Sequence, residues 1–256
     1  MFRMFTFLGR GAITSTIEAG RIAVLFLEAL SLLFLPPYRI RLLFKQMDFI
    51  GVSSLFVVVL TGLFTGMVLA LQTYYAFRMF SAETLVGATV ALSMTRELGP
   101  VITALMVTGR AGSAIAAEIG TMRVTEQVDA LTVMAINPVQ YLVVPRVVAG
   151  VIMLPLLCAI SDIVGIAGGY LVGVKLLGIH GGLFMNKIYE YVGLDDVYNG
   201  LIKAACFGFI LTLVGCFKGF YTRGGAEGVG RATTQSVVLS SVLILMSDYV
   251  LTALMF

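Results

Sequence analysis

This sequence has little charge. Asp, Glu, Lys and Arg make up 12% of its 256 residues, against 59% hydrophobic residues and a mean hydropathy of +1.00. That balance excludes an ordinary soluble domain and makes a bilayer the natural solvent. The formal net charge is only +3 and the basic residues are scattered along the chain, which excludes the concentrated basic face of a nucleic-acid-binding protein.

Chemistry-bearing motifs are also missing. His180 is the single histidine, expected as a plain loop residue, and neither H-E-x-x-H nor G-x-S-x-G occurs, so a metal or nucleophile constellation is not expected. Cys158, Cys206 and Cys216 lie in apolar stretches without C-x-x-C spacing and read as packing residues. There is no Gly-Lys pair, hence no G-x-x-x-x-G-K-[ST] loop to cradle a nucleotide phosphate. The chain is expected to carry no cofactor, and any ATP it depends on, with its Mg, belongs to another chain.

What the sequence has is long apolar runs. Phe49 to Phe77 contains no charge and exceeds the roughly 20 helical residues that cross the hydrocarbon. Four more candidates follow: Thr84 to Gly109, interrupted by Arg96-Glu97; Val147 to Val174, holding Asp162; Val197 to Phe217, holding Lys203; and Ala232 to Phe256, holding Asp248. The expected fold is therefore an all-α integral membrane protein, one domain over residues 1–256, with a five-span bundle in residues 48–256. Ile22 to Leu35 is too short to span, contains Glu28 and ends at Pro36-Pro37, so residues 1–47 are expected to hold an interfacial helix. Glu28 and the lack of a small-residue cleavage site argue against a signal peptide.

Basic residues set the expected orientation. Arg3, Arg10, Arg21, Arg39, Arg41 and Lys45 precede the first span; Arg110, Arg123 and Arg146 fall in the second loop, and Lys218, Arg223 and Arg231 in the fourth. Arg78, Lys175 and Lys187 are left for the opposite side. The N-terminus is expected in the cytoplasm and the C-terminus outside. No internal repeat divides the chain, and an odd number of spans disfavours two inverted halves. Gly62 to Gly66 and Gly169 to Gly173 are small-x-x-x-small pairs suited equally to packing within one subunit and to dimerisation.

An ionised side chain at mid-span costs about 2.5 to 3.5 kcal/mol on insertion scales, so Arg96, Glu97, Lys203, Asp162 and Asp248 need partners or a cavity. Arg96 and Glu97 are adjacent and diverge by about 100° on a helix, so each is expected to face something else. Lys203 sits near the outer end of its span, where it could snorkel or hold a phosphate. Pro100, just after the charged pair, is expected to bend the helix. Between the second and third spans, residues 112–136 read as a helix interrupted by Gly120, with Ile115, Ile119 and Met122 at helical spacing and Glu118, Arg123, Glu126 and Asp129 among them. Such a segment suits a partner's groove.

These residues also carry a resemblance. Gly66-Met-Val-Leu-Ala-Leu-Gln72, Ser81-Ala-Glu83, Arg96-Glu-Leu-Gly-Pro100, Gly109-Arg-Ala-Gly-Ser113, Glu118-Ile-Gly120, Thr125-Glu-Gln127 and Arg231-Ala-Thr-Thr234, in this order, resemble the MlaE (YrbE) family of ABC permeases. The resemblance implies a homodimeric permease of the bacterial inner membrane that moves phospholipid between inner and outer membranes. It further implies a cytoplasmic ABC ATPase, a periplasmic ring of MCE domains and a small STAS-type subunit as partners. An outward lipid cavity would be lined by Leu69, Phe77, Phe80, Arg96 and Glu97 with Lys203 on its polar rim, and 112–136 would be the coupling helix, placing Glu118, Arg123, Glu126 and Asp129 at the ATPase. Two other readings stand beside it: an ion- or proton-coupled carrier relaying through Glu97, Asp162, Lys203 and Asp248, and a membrane scaffold.

Overall fold

Hydrocarbon offers no water to backbone N–H and C=O groups, so an uncharged run of spanning length has the helix as its low-cost conformation. The computed structural model describes residues 2–33, 35–36 and 39–255, with side chains except at 2–15, 18 and 19. Within these residues all regular structure is helical, and five stretches are long and apolar enough to cross a membrane: Ile40–Arg78, Glu83–Val124, Val139–Leu176, Leu194–Phe220 and Gly225–Met255. The protein is an all-α integral membrane protein. Each stretch falls on one expected span, and most of them overrun it at the end rich in Lys and Arg; Phe256, the last residue of the fifth expected span, lies outside the described residues.

The first crossing is α2 (Ile40–Ile50) joined to α3 (Leu55–Arg78) through a short tight turn at Val52–Ser54. The second is α4 (Val86–Ser93), α5 (Gly99–Val107) and α6 (Ser113–Val124), spliced by π turns at Met94–Leu98 and Thr108–Gly112. At 42 residues this rod is about 63 Å long, twice the hydrocarbon thickness, so its α6 end projects beyond the apolar zone. Next come α7 (Gln127–Val133), α8 (Val144–Tyr170), α9 (Gly181–Tyr191), α10 (Leu194–Phe220) and α11 (Gly225–Met255).

Three boundaries differ from the sequence reading. The N-terminal helix α1 spans Phe2–Leu33 rather than starting at Ile22, because nothing before Pro36 forbids continuation. Its second half buries Leu25 and Ala29, and Phe26 meets Phe209 of α10 edge to face with centroids 5.2 Å apart. Gly120 does not interrupt α6; a side chain there would meet Thr222 Oγ1 at 3.1 Å, so the glycine serves close packing near the end of α10. The chain breaks instead at Thr125–Glu126, where Glu126 adopts a left-handed φ of 60°. And the loop after the third span contains α9, anchored by fully buried Phe184 against Tyr170.

Small residues let α8 lie close to both neighbours. A Cβ on Gly66 of α3 would stand 1.9 Å from the Gly165 carbonyl oxygen of α8, and one on Gly208 of α10 would stand 2.3 Å from that of Gly150. Gly62 meets Ser161, Gly169 meets Val90 and Gly173 meets Phe184. Both small-x-x-x-small pairs are thus used within the subunit, where contact between backbones supplies the van der Waals attraction that lipid cannot.

Candidate functional site

The π turn Met94–Leu98 interrupts the second crossing, and a widened turn re-aims consecutive side chains. Arg96 goes to α10, with Nε and Nη2 each 2.7 Å from Asp196 Oδ1. The other oxygen of Asp196 accepts the Gly193 N–H at 2.8 Å, so one carboxylate caps the start of α10 and clamps the guanidinium. The Asp196 side chain is 8% exposed and that of Arg96 39%, leaving part of a held cation open.

Glu97 goes elsewhere, to a buried network. Lys203 of α10 is fully buried; its ammonium donates to Glu97 Oε2 at 2.9 Å, to Thr252 Oγ1 at 2.7 Å and to the Arg96 carbonyl at 3.0 Å. Asp248 Oδ1 lies 3.3 Å away. The Thr252 hydroxyl in turn donates to the Asp248 carbonyl at 2.8 Å, with Glu97 Oε1 at 3.2 Å. Pro100 has no N–H to offer the carbonyl four residues back, and that is the Arg96 carbonyl which Lys203 caps. The expectation of Lys203 on a polar rim is corrected: the α11 end closes over it, and its protons are spent inside the bundle.

Asp162 of α8 is set apart from this network. Its Oδ2 accepts from Cys158 Sγ at 3.6 Å, its Oδ1 has no hydrogen-bond partner among the described residues, and it occupies the space that a side chain on Gly99 would need. Asp162 and Asp248 therefore differ: the second joins an ion network, the first seats α5 against α8.

An apolar groove of ≈ 340 Å³ lies between α3 and the end of the π turn, lined by Phe64, Thr65, Val68, Leu69, Gln72 and Leu98. Leu69 thus shares a surface with the residue next to Glu97. Phe77 packs half-buried against the neighbouring core, while Phe80, past the end of α3, is 80% exposed. The structure does not bring Phe77 or Phe80 into this groove.

At the opposite end of the bundle, Arg146 of α8 is 3% exposed and pairs with Glu118 of α6, Nη2 to Oε2 2.7 Å, and donates to the Leu142 carbonyl at 2.7 Å. Arg123 pairs with Asp129 across the α6–α7 turn, and Glu126 is exposed at its apex. Arg110, expected in a loop, sits inside the second crossing and donates to the Phe49 carbonyl at 2.7 Å and to Ser54 Oγ at 2.9 Å. The Thr108–Gly112 π turn carries the helix past the apolar run and lets Arg110 tie it to the α2–α3 joint.

Sequence reading missed Asp196, Thr252 and the burial of Arg146. For Asp196 a signal existed: an acidic residue three positions into a helix, able to reach back to its first N–H.

Taken together, the fold and these features define a polytopic membrane protein whose intramembrane charges are nearly all satisfied between helices, beside a groove and a half-open arginine. Residues 43–254 match the family described as Permease MlaE. The chain is 48% identical over 249 residues to a "Probable ABC transporter permease protein" of Rickettsia bellii, covering 97% of this chain and 96% of that one. It is 47% identical over 216 residues to the "Intermembrane phospholipid transport system permease protein MlaE" of Haemophilus influenzae, covering 84% and 83%. It is 39% identical over 212 residues to the chloroplastic protein TRIGALACTOSYLDIACYLGLYCEROL 1 of Arabidopsis thaliana, covering 83% of this chain and 61% of that one. The chain belongs to the MlaE permease family.

Proposed function

We propose that this chain is the membrane subunit of an ABC transporter that moves phospholipid between the inner and outer membranes and so maintains outer-membrane lipid asymmetry. The observation that carries the reading is the Arg96 step: a guanidinium clamped by Asp196 yet 39% exposed, two residues from Leu98, which walls an apolar groove with Leu69. Planar arginine suits phosphate, and the groove suits acyl chain. One groove of ≈ 340 Å³ is at the small end of ligand pockets, about 300–1,000 Å³; in the homodimer proposed here, two copies facing each other would enlarge it.

The end rich in Lys and Arg faces the cytoplasm, with the N-terminus there and the C-terminus outside. With no phosphate-cradling loop of its own, the chain relies on a cytoplasmic ATPase, docked at the α6–α7 end through Glu118, Arg123, Glu126 and Asp129, and with a small STAS-type subunit beside it. An MCE-domain ring receives lipid at the other end. ATP-driven closure would move the α6 end of the long second crossing and squeeze the groove on the far side of the same rod. A carrier relaying ions through Glu97, Asp162, Lys203 and Asp248 is served less well, because Asp162 bonds Cys158 and stands outside the Lys203 network.

The test is the lipid that co-purifies with the detergent-solubilised chain and its ATPase, compared between the native protein and Arg96→Glu. Phospholipid bound by the first and depleted in the second supports the proposal; equal annular lipid in both contradicts it.

A further inference from the structure

The π turn Val139–Val143, which leads into α8, takes no part in the Arg96 groove or in the α6–α7 turn. Asn137 Oδ1 accepts the Val139 and Gln140 N–H groups at 2.8 and 3.3 Å and so fixes its start. Inside a widened turn, successive side chains are re-aimed. Gln140 donates from Nε2 to the Leu35 carbonyl at 2.8 Å, tying the start of α8 to the chain that joins α1 to α2. Tyr141 instead lies under Arg39, whose guanidinium carbon is 4.4 Å from the ring centroid.

Arg39 is also where α2 starts. Its carbonyl accepts the Leu42 and Leu43 N–H groups at 2.9 and 3.1 Å, so the helix holds its backbone while the Tyr141 ring holds its side chain. A guanidinium seated over an aromatic face keeps its edge of N–H donors for an acceptor in its own plane. Among the described residues, that edge makes no hydrogen bond or ion pair. The start of a helix adds partial positive charge of its own.

Two adjoining cavities lead from Arg39 to the space under α1. The first, of ≈ 300 Å³, has Leu35, Arg39, Leu43, Gln140 and Pro145 in its wall. The second, of ≈ 370 Å³, has Phe26, Leu30, Ile152 and Phe209. Leu33, Val144 and Val148 line both. Among the described lining residues Arg39 is the one that is charged and Gln140 the one other polar side chain, so polarity is confined to the outer end and the rest is hydrocarbon. Each volume is at the low end of the roughly 300–1,000 Å³ of ligand sites. Two such spaces in line suit an amphiphile, with an anion at the mouth and an acyl chain behind it.

We propose that the seam between α1, α2 and α8 holds one phospholipid from the leaflet at the end of the bundle where Arg146 pairs with Glu118. Its phosphate sits on the Arg39 guanidinium and the second N–H of the Gln140 amide, and one acyl chain runs along Leu33, Val148 and Ile152. What is recognised is a phosphate with a chain attached, so the rest of the headgroup counts for little. The Arg96 groove shares no lining residue with this seam, and the inference does not rest on what that groove carries. Such a lipid fills the space that α1 bridges and makes the seating of α1 on α8 depend on it.

The experiment irradiates the full chain in detergent with phosphatidylglycerol that carries a diazirine in one acyl chain, and identifies the labelled peptides by mass spectrometry. Saturable labelling is expected in residues 26–33 and 144–152, displaced by unlabelled phosphatidylglycerol and phosphatidylcholine alike. Diazirine-bearing diacylglycerol with the same chains lacks the phosphate and is expected to label these residues roughly ten-fold or more weakly; this arm needs no variant that has to fold. Arg39→Ala should lower phosphatidylglycerol labelling there by a similar factor and Arg39→Lys by less. Val148→Trp, which leaves Arg39 in place, should lower it by filling the path of the chain. Residues 64–72 are read in the same digest, so a loss at the Arg96 groove and a loss at this seam are separate results. Equal labelling by diacylglycerol, native labelling of a folded Arg39→Ala or Val148→Trp variant, or even labelling of every lipid-facing helix overturns the proposal. Displacement by glycerol 3-phosphate as effective as by the lipid would make Arg39 a free-phosphate site and overturns it too.

Discussion

Lys203 donates a hydrogen bond to the Arg96 backbone carbonyl at 3.0 Å, the acceptor that Pro100 cannot serve. A proline, a buried ammonium and two carboxylates are thereby one device: the helix is opened beside Arg96 and Glu97, and a side chain from α10 closes the hydrogen bonding. Removing the cation should be expensive. Lys203→Met leaves Glu97 and Asp248 facing each other without it and is expected to cost about 3–5 kcal/mol. Melting in detergent should fall accordingly, and Glu97→Gln with Asp248→Asn in the Lys203→Met background should restore most of the loss. An unchanged melting point for the single variant would contradict this network.

Glu118 and Arg146 predict an asymmetry. Arg146 is 3% exposed while the Glu118 side chain is 51% exposed. Glu118→Gln strands a buried cation and should destabilise by about 2 kcal/mol. Arg146→Met leaves a carboxylate that water can solvate and should cost less. A double-mutant cycle read by thermal melting checks the order.

The α3–α8 contact predicts a sharp contrast between two glycines. Gly66→Ala places a methyl group 1.9 Å from the Gly165 carbonyl, whereas Gly109 has nothing within 4 Å of the added atom. The first should cost about 1–3 kcal/mol through overpacking and the second should be near neutral. Equal effects would show that the two helices are not this close.

Much of this fold was legible because membrane spans announce themselves by length and lack of charge: all five crossings fall where the apolar runs do. Their overruns were not legible, since outside the hydrocarbon a helix such as α6 can carry Glu118 and Arg123 without penalty. Partners of the intramembrane charges were hidden for another reason. Asp196 reads as a loop acid until α10 begins at Leu194, and Lys203, judged from its place along its own helix, reads as a rim residue until α11 covers it. The turn at Glu126 carries no glycine or proline, so its left-handed backbone left no mark in the sequence, whereas Gly120, which looked like a break, is a packing contact.

Coupling at the α6–α7 end is tested with Glu126→Lys. The residue is exposed at the turn apex and makes no contact on which the fold rests, so melting should hold while co-purification of the ATPase subunit weakens roughly ten-fold. Lys187→Glu, at the far end, should leave that assembly intact. Retention of the ATPase by Glu126→Lys would contradict this placement.

The central claim is that Arg96 holds phospholipid on its way through the permease. ATP-driven transfer of fluorescent phospholipid from proteoliposomes containing the chain and its ATPase measures it directly, for the native protein, Arg96→Lys and Arg96→Glu. Arg96→Glu is expected to lose roughly ten-fold or more in transfer, with Arg96→Lys between, because a point charge lacks the planar fork, while ATPase assembly is kept. Native transfer by an assembled Arg96→Glu complex would contradict it.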